Sequence, residues 1–186
     1  LGVLSESAFL FMAVGHMGPC YSLVACDGLV FRRTGGIGIG GGTLSGLSRL
    51  LLKTDDVRQI SALALQGDVS NINLLIGDIS AHPLPGLPMD ATASLFANAQ
   101  ANASREDVAL GLICMVLQAI GSASVLSALN SEIKDFVMIG NLTLLPQCKF
   151  LFPAMEKLYG VHFIIPKYSE FCTAIGAALS YTQNKK

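Results

Sequence analysis

Six glycines fall in the eight positions from Gly35 to Gly42, and no other stretch restricts its surroundings so tightly. Glycine admits left-handed and strained backbone angles, and it lets the backbone approach a ligand closely. The run Thr43–Leu52 that follows is apolar and helix-compatible, and Thr43 can order its first turn. Arg32 and Arg33 stand just before the run. A glycine loop feeding a helix N-terminus offers free N–H groups and the positive end of the helix dipole, which together suit phosphate. The competing reading is a flexible hairpin loop. That reading does not call for two arginines before the loop or a helix start after it.

A chain of 186 residues forms one domain, or part of a larger fold, and can bury a sizeable core. Apolar residues make up 52% and charged residues 13%, which points to either a large interface or a membrane segment. The stretch from Val108 to Ser131 is uncharged and long enough to span a bilayer. It nevertheless carries Gln118, Ser122, Ser124, Ser127 and Asn130, and Ser104-Arg105-Glu106-Asp107 opens it as a serine-capped helix with acids in its first turn. It is read as a buried core helix, and no membrane contact is expected. Leu1 to Glu6 shows neither a basic start nor a cleavage pattern. A net charge of −1, with no basic patch interleaved with aromatics, argues against nucleic acid as a partner. The five cysteines include no C-x-x-C pair and read as reduced, mostly buried thiols of a cytoplasmic protein. His16, His82 and His162 show no metal-ligand spacing, so no metal site is expected.

In chain order, Leu1–Ser5 reads as the end of a helix. Phe9–Val14, Tyr21–Ala25 and Leu29–Arg33 read as three strands of an antiparallel meander leading into the glycine loop. A helix follows from Thr43. A second starts at Thr54-Asp55-Asp56 with Val57, Ile60, Leu63 and Ala64 on one face, and stops at Gly67-Asp68. A third is expected through Asn73–Ile79, capped by Ser70-Asn71. Pro83–Pro88 is a rigid linker, Ala93–Asn102 a weak helix, and a long helix begins at Arg105. Phe136–Ile139 is a buried strand and Gly140-Asn141 a turn. Gln147–Tyr159 is a helix that Pro153 should kink or restart, Val161–Ile165 a strand, and Phe171–Tyr181 a closing helix.

At this point the residues resemble a known family. Arg33-Thr34-Gly35-Gly36, then Gly40-Gly41-Gly42-Thr43 and Gly46-Leu47, resemble the type II pantothenate kinases. Four further blocks follow in family order: Leu74–Ile79, Ser104–Ala109, Val137–Asn141 and Ala174–Ala177. The resemblance implies an α/β fold, a ribonuclease-H-like lobe of the actin-like ATPase superfamily. In it, a three-stranded antiparallel meander and parallel strands form one mixed sheet, with helices on both faces and a helical insert at about residues 54–103. Residues 1–186 would be the C-terminal lobe of a two-lobed kinase. The N-terminal lobe, with its phosphate loop and a general-base glutamate, is expected upstream of Leu1.

The implied reaction is ATP-dependent phosphorylation of pantothenate, the first step towards coenzyme A. ATP and Mg2+ would be the cofactors, the assembly a homodimer, and coenzyme A or its thioesters possible inhibitors. The resemblance puts Gly18, Pro19, Gly41, Gly42, Thr43, Leu44, Ser45, Val57, Gly140 and Asn141 at ATP, and Arg33 at pantothenate or the transferring phosphoryl group. A surface arginine and a turn-stabilising asparagine remain the alternatives for Arg33 and Asn141. The chain departs from the family pattern at Gly15–Ser22, where Pro19 and Cys20 replace small residues and proline removes an N–H. An arginine often found after Gly140-Asn141 is also missing. These departures leave a second reading, a catalytically impaired pseudokinase or regulatory subunit of the same fold. The piece alone is expected to be inactive. The long helix and Leu74–Ile79 suit either a dimer interface or plain core.

Overall fold

In the computed structural model the described residues are 9–13, 23–27 and 30–183. Readings that fall on residues 1–8, 14–22, 28–29 and 184–186, including Gly18 and Pro19, lie outside them. The described elements are β1 (Phe9–Ala13), β2 (Leu23–Asp27), β3 (Val30–Gly35), α1 (Gly41–Leu51), α2 (Val57–Ala64), β4 (Leu74–Leu75), α3 (Ile76–Ile79), β5 (Thr92–Ser94), α4 (Arg105–Ser127), β6 (Asp135–Ile139), α5 (Cys148–Tyr159), β7 (His162–Ile164) and α6 (Cys172–Gln183).

Five strands form one mixed α/β sheet in the order β3-β2-β1-β6-β7. β1 pairs antiparallel with β2, placing Phe11 opposite Val24, and β2 pairs antiparallel with β3. β6 lies parallel to β1 and to β7, with Phe136 beside Phe163. Parallel strands need crossover connections, and the helices between β1 and β6 and between β6 and β7 supply them. Phe136 and Met138 are buried on alternate positions of β6, the pattern a pleated strand gives when one face meets the core. The rings of Phe136, Phe163 and Phe152 form a run that joins β6 and β7 to α5, with centroids 5.6 and 5.1 Å apart.

α4 is the centre of the core and packs against α1, α2 and α5. Ala109, Leu112, Ile113, Val116, Leu117 and Ile120 are almost wholly buried along it. The helix is long and apolar enough to cross a membrane, yet most of it is covered by the chain itself. Most of its apolar residues are therefore intradomain core, while Leu126 near its end is exposed. Two glycines let neighbours close in. A Cβ at Gly121 would meet Met155 at 2.5 Å, and one at Gly111 would meet Ile72 at 2.5 Å. The cap at Ser104 forms as the sequence suggests, its hydroxyl accepting the Asp107 N–H at 3.0 Å.

Three local expectations fail. The segment after Gly67 is helical only over its last part, Ile76–Ile79, and Leu74–Leu75 is a strand instead of the start of a helix. Asp68, not Ser70-Asn71, caps a single 3-10 turn over Val69–Asn71, accepting the Ser70 N–H at 2.9 Å and its hydroxyl at 2.7 Å. Ala93–Asn102 is not a helix either. Thr92–Ser94 pairs with Leu74–Leu75 as β5 and β4, and Asn73 Oδ1 accepts the Phe96 N–H at 3.0 Å. In both places a short polar side chain offers the backbone a partner that competes with helix. Finally, α5 does not restart at Pro153 but continues as one helix from Cys148 to Tyr159. Leu151, Phe152 and Met155 are buried beside it, so packing outweighs the lost hydrogen bond.

Candidate nucleotide site

The first turn of α1 is built by its own residues. β3 ends at Gly35, and an irregular loop leads to Gly40, the residue that precedes the helix. Thr43 Oγ1 accepts the Gly40 N–H at 3.2 Å and donates to the Gly38 carbonyl at 3.2 Å. One hydroxyl thus folds the loop back over the helix start. The first four N–H groups of an α-helix have no intrahelical acceptor. Thr43 satisfies that of Gly40, and among the described residues no acceptor is found for those of Gly41, Gly42 and Thr43. Gly42 is exposed, and the space where its Cβ would stand is open. Three donors without a protein acceptor, that of Gly42 exposed and that of Gly41 buried, stand at the positive end of an eleven-residue helix, an arrangement that can bind an anion.

Two of the sequence candidates here take different parts. Leu44 is fully buried and its N–H donates to the Gly40 carbonyl at 2.8 Å, so it anchors α1 in the core and has no donor left for a ligand. Ser45 lies one residue on, and its hydroxyl oxygen is buried without a hydrogen-bond partner. Arg33 sits on β3 opposite Val24, two residues before the strand ends.

Val57 and Asn141, 84 positions apart in the chain, line one crevice of about 560 Å3. Its walls are α2 and the turn after β6, with Leu142, Leu145 and Pro146 adding apolar surface. Asp56 starts α2 by accepting the Arg58 N–H at 2.9 Å, and this presents Val57, Arg58 and Ser61 to the opening. On the other wall Gly140 has φ +105°, a region that L side chains rarely adopt, so glycine is needed there. Its N–H donates to the Ser169 carbonyl at 2.9 Å. Thr143 Oγ1 lies 2.6 Å from both the Gly140 carbonyl and Ser169 Oγ, which fixes the turn that carries Asn141.

Sequence reasoning missed the pair that joins the two walls. Ser61 donates its hydroxyl proton to Gln147 Oε1 at 2.9 Å, and Gln147 Nε2 donates to the Ser61 carbonyl at 2.8 Å. Gln147 is fully buried. The partners stand 86 residues apart, and no spacing rule links them. Thr143 and Ser169 were missed for the same reason.

Among the described residues, no group of three or more His, Cys, Asp or Glu is placed to hold a metal ion. Burial pushes the thiols of Cys114 and Cys148 up to about 12, which makes them inert at neutral pH.

Comparison with known proteins adds a second line of evidence. The Fumble family model matches residues 5–150. A protein of Arabidopsis thaliana named pantothenate kinase 2 is 29% identical over 184 residues, covering 91% of this chain and 20% of that protein. Its namesake in Oryza sativa subsp. japonica is 29% identical over 191 residues, covering 95% and 21%. A Staphylococcus aureus protein named type II pantothenate kinase is 30% identical over 130 residues, covering 68% and 49%. The chain therefore spans about a fifth of the plant relatives and about half of the bacterial one.

Proposed function

The chain belongs to the Fumble family, that of the type II pantothenate kinases, and on that premise we propose that it serves in phosphoryl transfer from ATP to pantothenate. It supplies the nucleotide-binding lobe of a two-lobed kinase of ribonuclease-H-like, actin-like build, with helices on both faces of the sheet and the insert at about residues 54–103. The observation that carries the reading is the first turn of α1, where the N–H groups of Gly41, Gly42 and Thr43 find no acceptor among the described residues. They receive the ATP phosphates, and the crevice between Val57 and Asn141 receives the base. Ser45 supports the phosphate turn, and Gly18 and Pro19 belong to a second phosphate-contacting turn.

In the reaction the primary hydroxyl oxygen of pantothenate bonds to the γ-phosphorus. The bond from that phosphorus to the bridging oxygen breaks, and ADP leaves. The hydroxyl proton passes to a glutamate contributed from outside these residues. Arg33 holds the pantothenate carboxylate or the transferring phosphoryl group in its planar fork. Mg2+ enters as the complex with ATP. The chain acts in the cytoplasm as part of a homodimer, free of nucleic acid and membrane, and coenzyme A thioesters regulate it.

Pro19 and Cys20 favour one alternative, a pseudokinase that keeps the fold and loses the chemistry. Proline withdraws a donor where a phosphate has to be held, and one such loss costs on the order of 2 kcal/mol. Calorimetric titration of the full-length protein with Mg-ATP, followed by an ADP-release assay with pantothenate, separates the two. Binding with pantothenate-dependent turnover supports the kinase. Binding without turnover supports the pseudokinase, and no binding removes the kinase and leaves the pseudokinase or regulatory subunit. Sedimentation at micromolar concentration tests the dimer.

A further inference from the structure

We infer that Ser61 and Gln147 are a positioning pair for the nucleotide: their two buried hydrogen bonds hold α2 at a fixed distance from the turn after β6 and so set the width of the crevice. This rests on the reading of the crevice as the base site. α2 has two faces. Ile60 and Ala64 are buried in the core that α4 centres. Val57, Ser61 and Leu65 follow one another at helical spacing and line the crevice. Apolar packing on α4 is non-directional, so it does not fix how the second face is turned. The hydrogen bonds do. The oxygen of the buried Gln147 amide accepts the Ser61 hydroxyl proton at 2.9 Å, and its nitrogen donates to the Ser61 carbonyl at 2.8 Å. Two bonds from one planar amide to one residue fix both the separation and the rotation of the helix.

Gln147 is itself held in place. Its carbonyl accepts the N–H groups of Phe150 and Leu151 at 3.2 and 3.0 Å as α5 begins, and it follows directly on Leu145 and Pro146 of the opposite wall. The strap therefore ties an eight-residue helix to a wall that is already fixed. A base held between two walls loses contact with one of them when they part, and a gap of about 0.5–1 Å forfeits roughly a quarter to a half of each atomic contact. Gln147→Leu cuts the strap and leaves little unpaired. The Ser61 carbonyl still accepts the Leu65 N–H at 3.2 Å, and the Ser61 hydroxyl can turn to the carbonyl one helical turn back. Ser61→Ala combined with Gln147→Leu removes both polar side chains, an exchange that is nearly neutral for stability.

The test is the Mg-ATP dissociation constant and the melting temperature of the full-length protein, as wild type, Gln147→Leu, the double variant and Val57→Trp. Val57 is partly exposed, and an indole there fills the crevice, so Val57→Trp reports whether the crevice takes the nucleotide at all. Gln147→Leu and the double variant are each expected to bind Mg-ATP about tenfold more weakly, although the double variant melts within about 2 °C of wild type. Wild-type affinity in Gln147→Leu, with binding lost in Val57→Trp, overturns the inference alone. So does a double variant whose affinity returns to that of wild type along with its melting temperature, which would make the pair structural only. Unchanged affinity in Val57→Trp is a different result. It removes the crevice from the nucleotide reading, and this inference with it.

Discussion

The Asp107 carboxylate accepts the backbone N–H of Asp68 at 2.7 Å, fastening the segment after α2 to the first turn of α4. Its second oxygen accepts Asn71 Nδ2 at 3.2 Å. The contact with the Asp68 N–H does most to hold the acid below its usual range, and the Ser104 hydroxyl adds to it, while burial acts in the opposite sense.

A depressed carboxylate gives stability that is fully present above its unfolded pKa of about 4 and is lost as pH falls through the lower folded value. Asp107→Ala leaves the Asp68 N–H without its acceptor and is expected to cost about 2 kcal/mol at neutral pH. Urea unfolding from pH 7 to pH 3 checks this. The gap between wild type and variant is expected to close below about pH 4. A gap that is constant with pH would show that the carboxylate charge is not what binds the segment.

The same junction explains Gly67. A Cβ there would overlap the Glu106 carbonyl oxygen, which is backbone and cannot turn away. Gly67→Ala is expected to lower stability by about 1–3 kcal/mol, read as a fall in the denaturant midpoint. An unchanged midpoint would mean that the segment does not pack this closely on α4.

The two inert thiols give a chemical test of the core. Cys114 and Cys148 are expected to resist alkylation in the native protein at pH 8 and to react on unfolding, with the modified sites mapped by mass spectrometry. Labelling of Cys114 under native conditions would contradict the placement of α4 at the centre.

The start of α1 is legible in the sequence because glycines followed by Thr43 state a local rule, and Asp56 and Ser104 announce their helices in the same way. The segment from Asp68 to Ala103 is illegible for the opposite reason. Asp68, Asn73 and Asp78 each take a backbone N–H within it, and β4 finds its partner about twenty residues on. Periodicity does not register such contacts. The candidate site divides along the same line. The open turn at Gly41–Thr43 follows from residue types. The meeting of Val57 with Asn141 was reached only through family resemblance, and the Ser61–Gln147 pair behind them only through the structure.

Gly42 and Gly46 provide the most direct test of the central claim. Both are on α1, and the space where a Cβ would stand is open at each, so alanine at either position fits and favours helix by about 0.5–1 kcal/mol. Only Gly42 lies in the turn whose N–H groups are assigned to phosphate. The measurement is the Mg-ATP dissociation constant of the full-length protein carrying Gly42→Ala or Gly46→Ala, with the melting temperature of each. The account predicts that both variants keep or raise the melting temperature, and that Gly42→Ala alone weakens ATP, by tenfold or more. Equal ATP affinity in Gly42→Ala and wild type would contradict it.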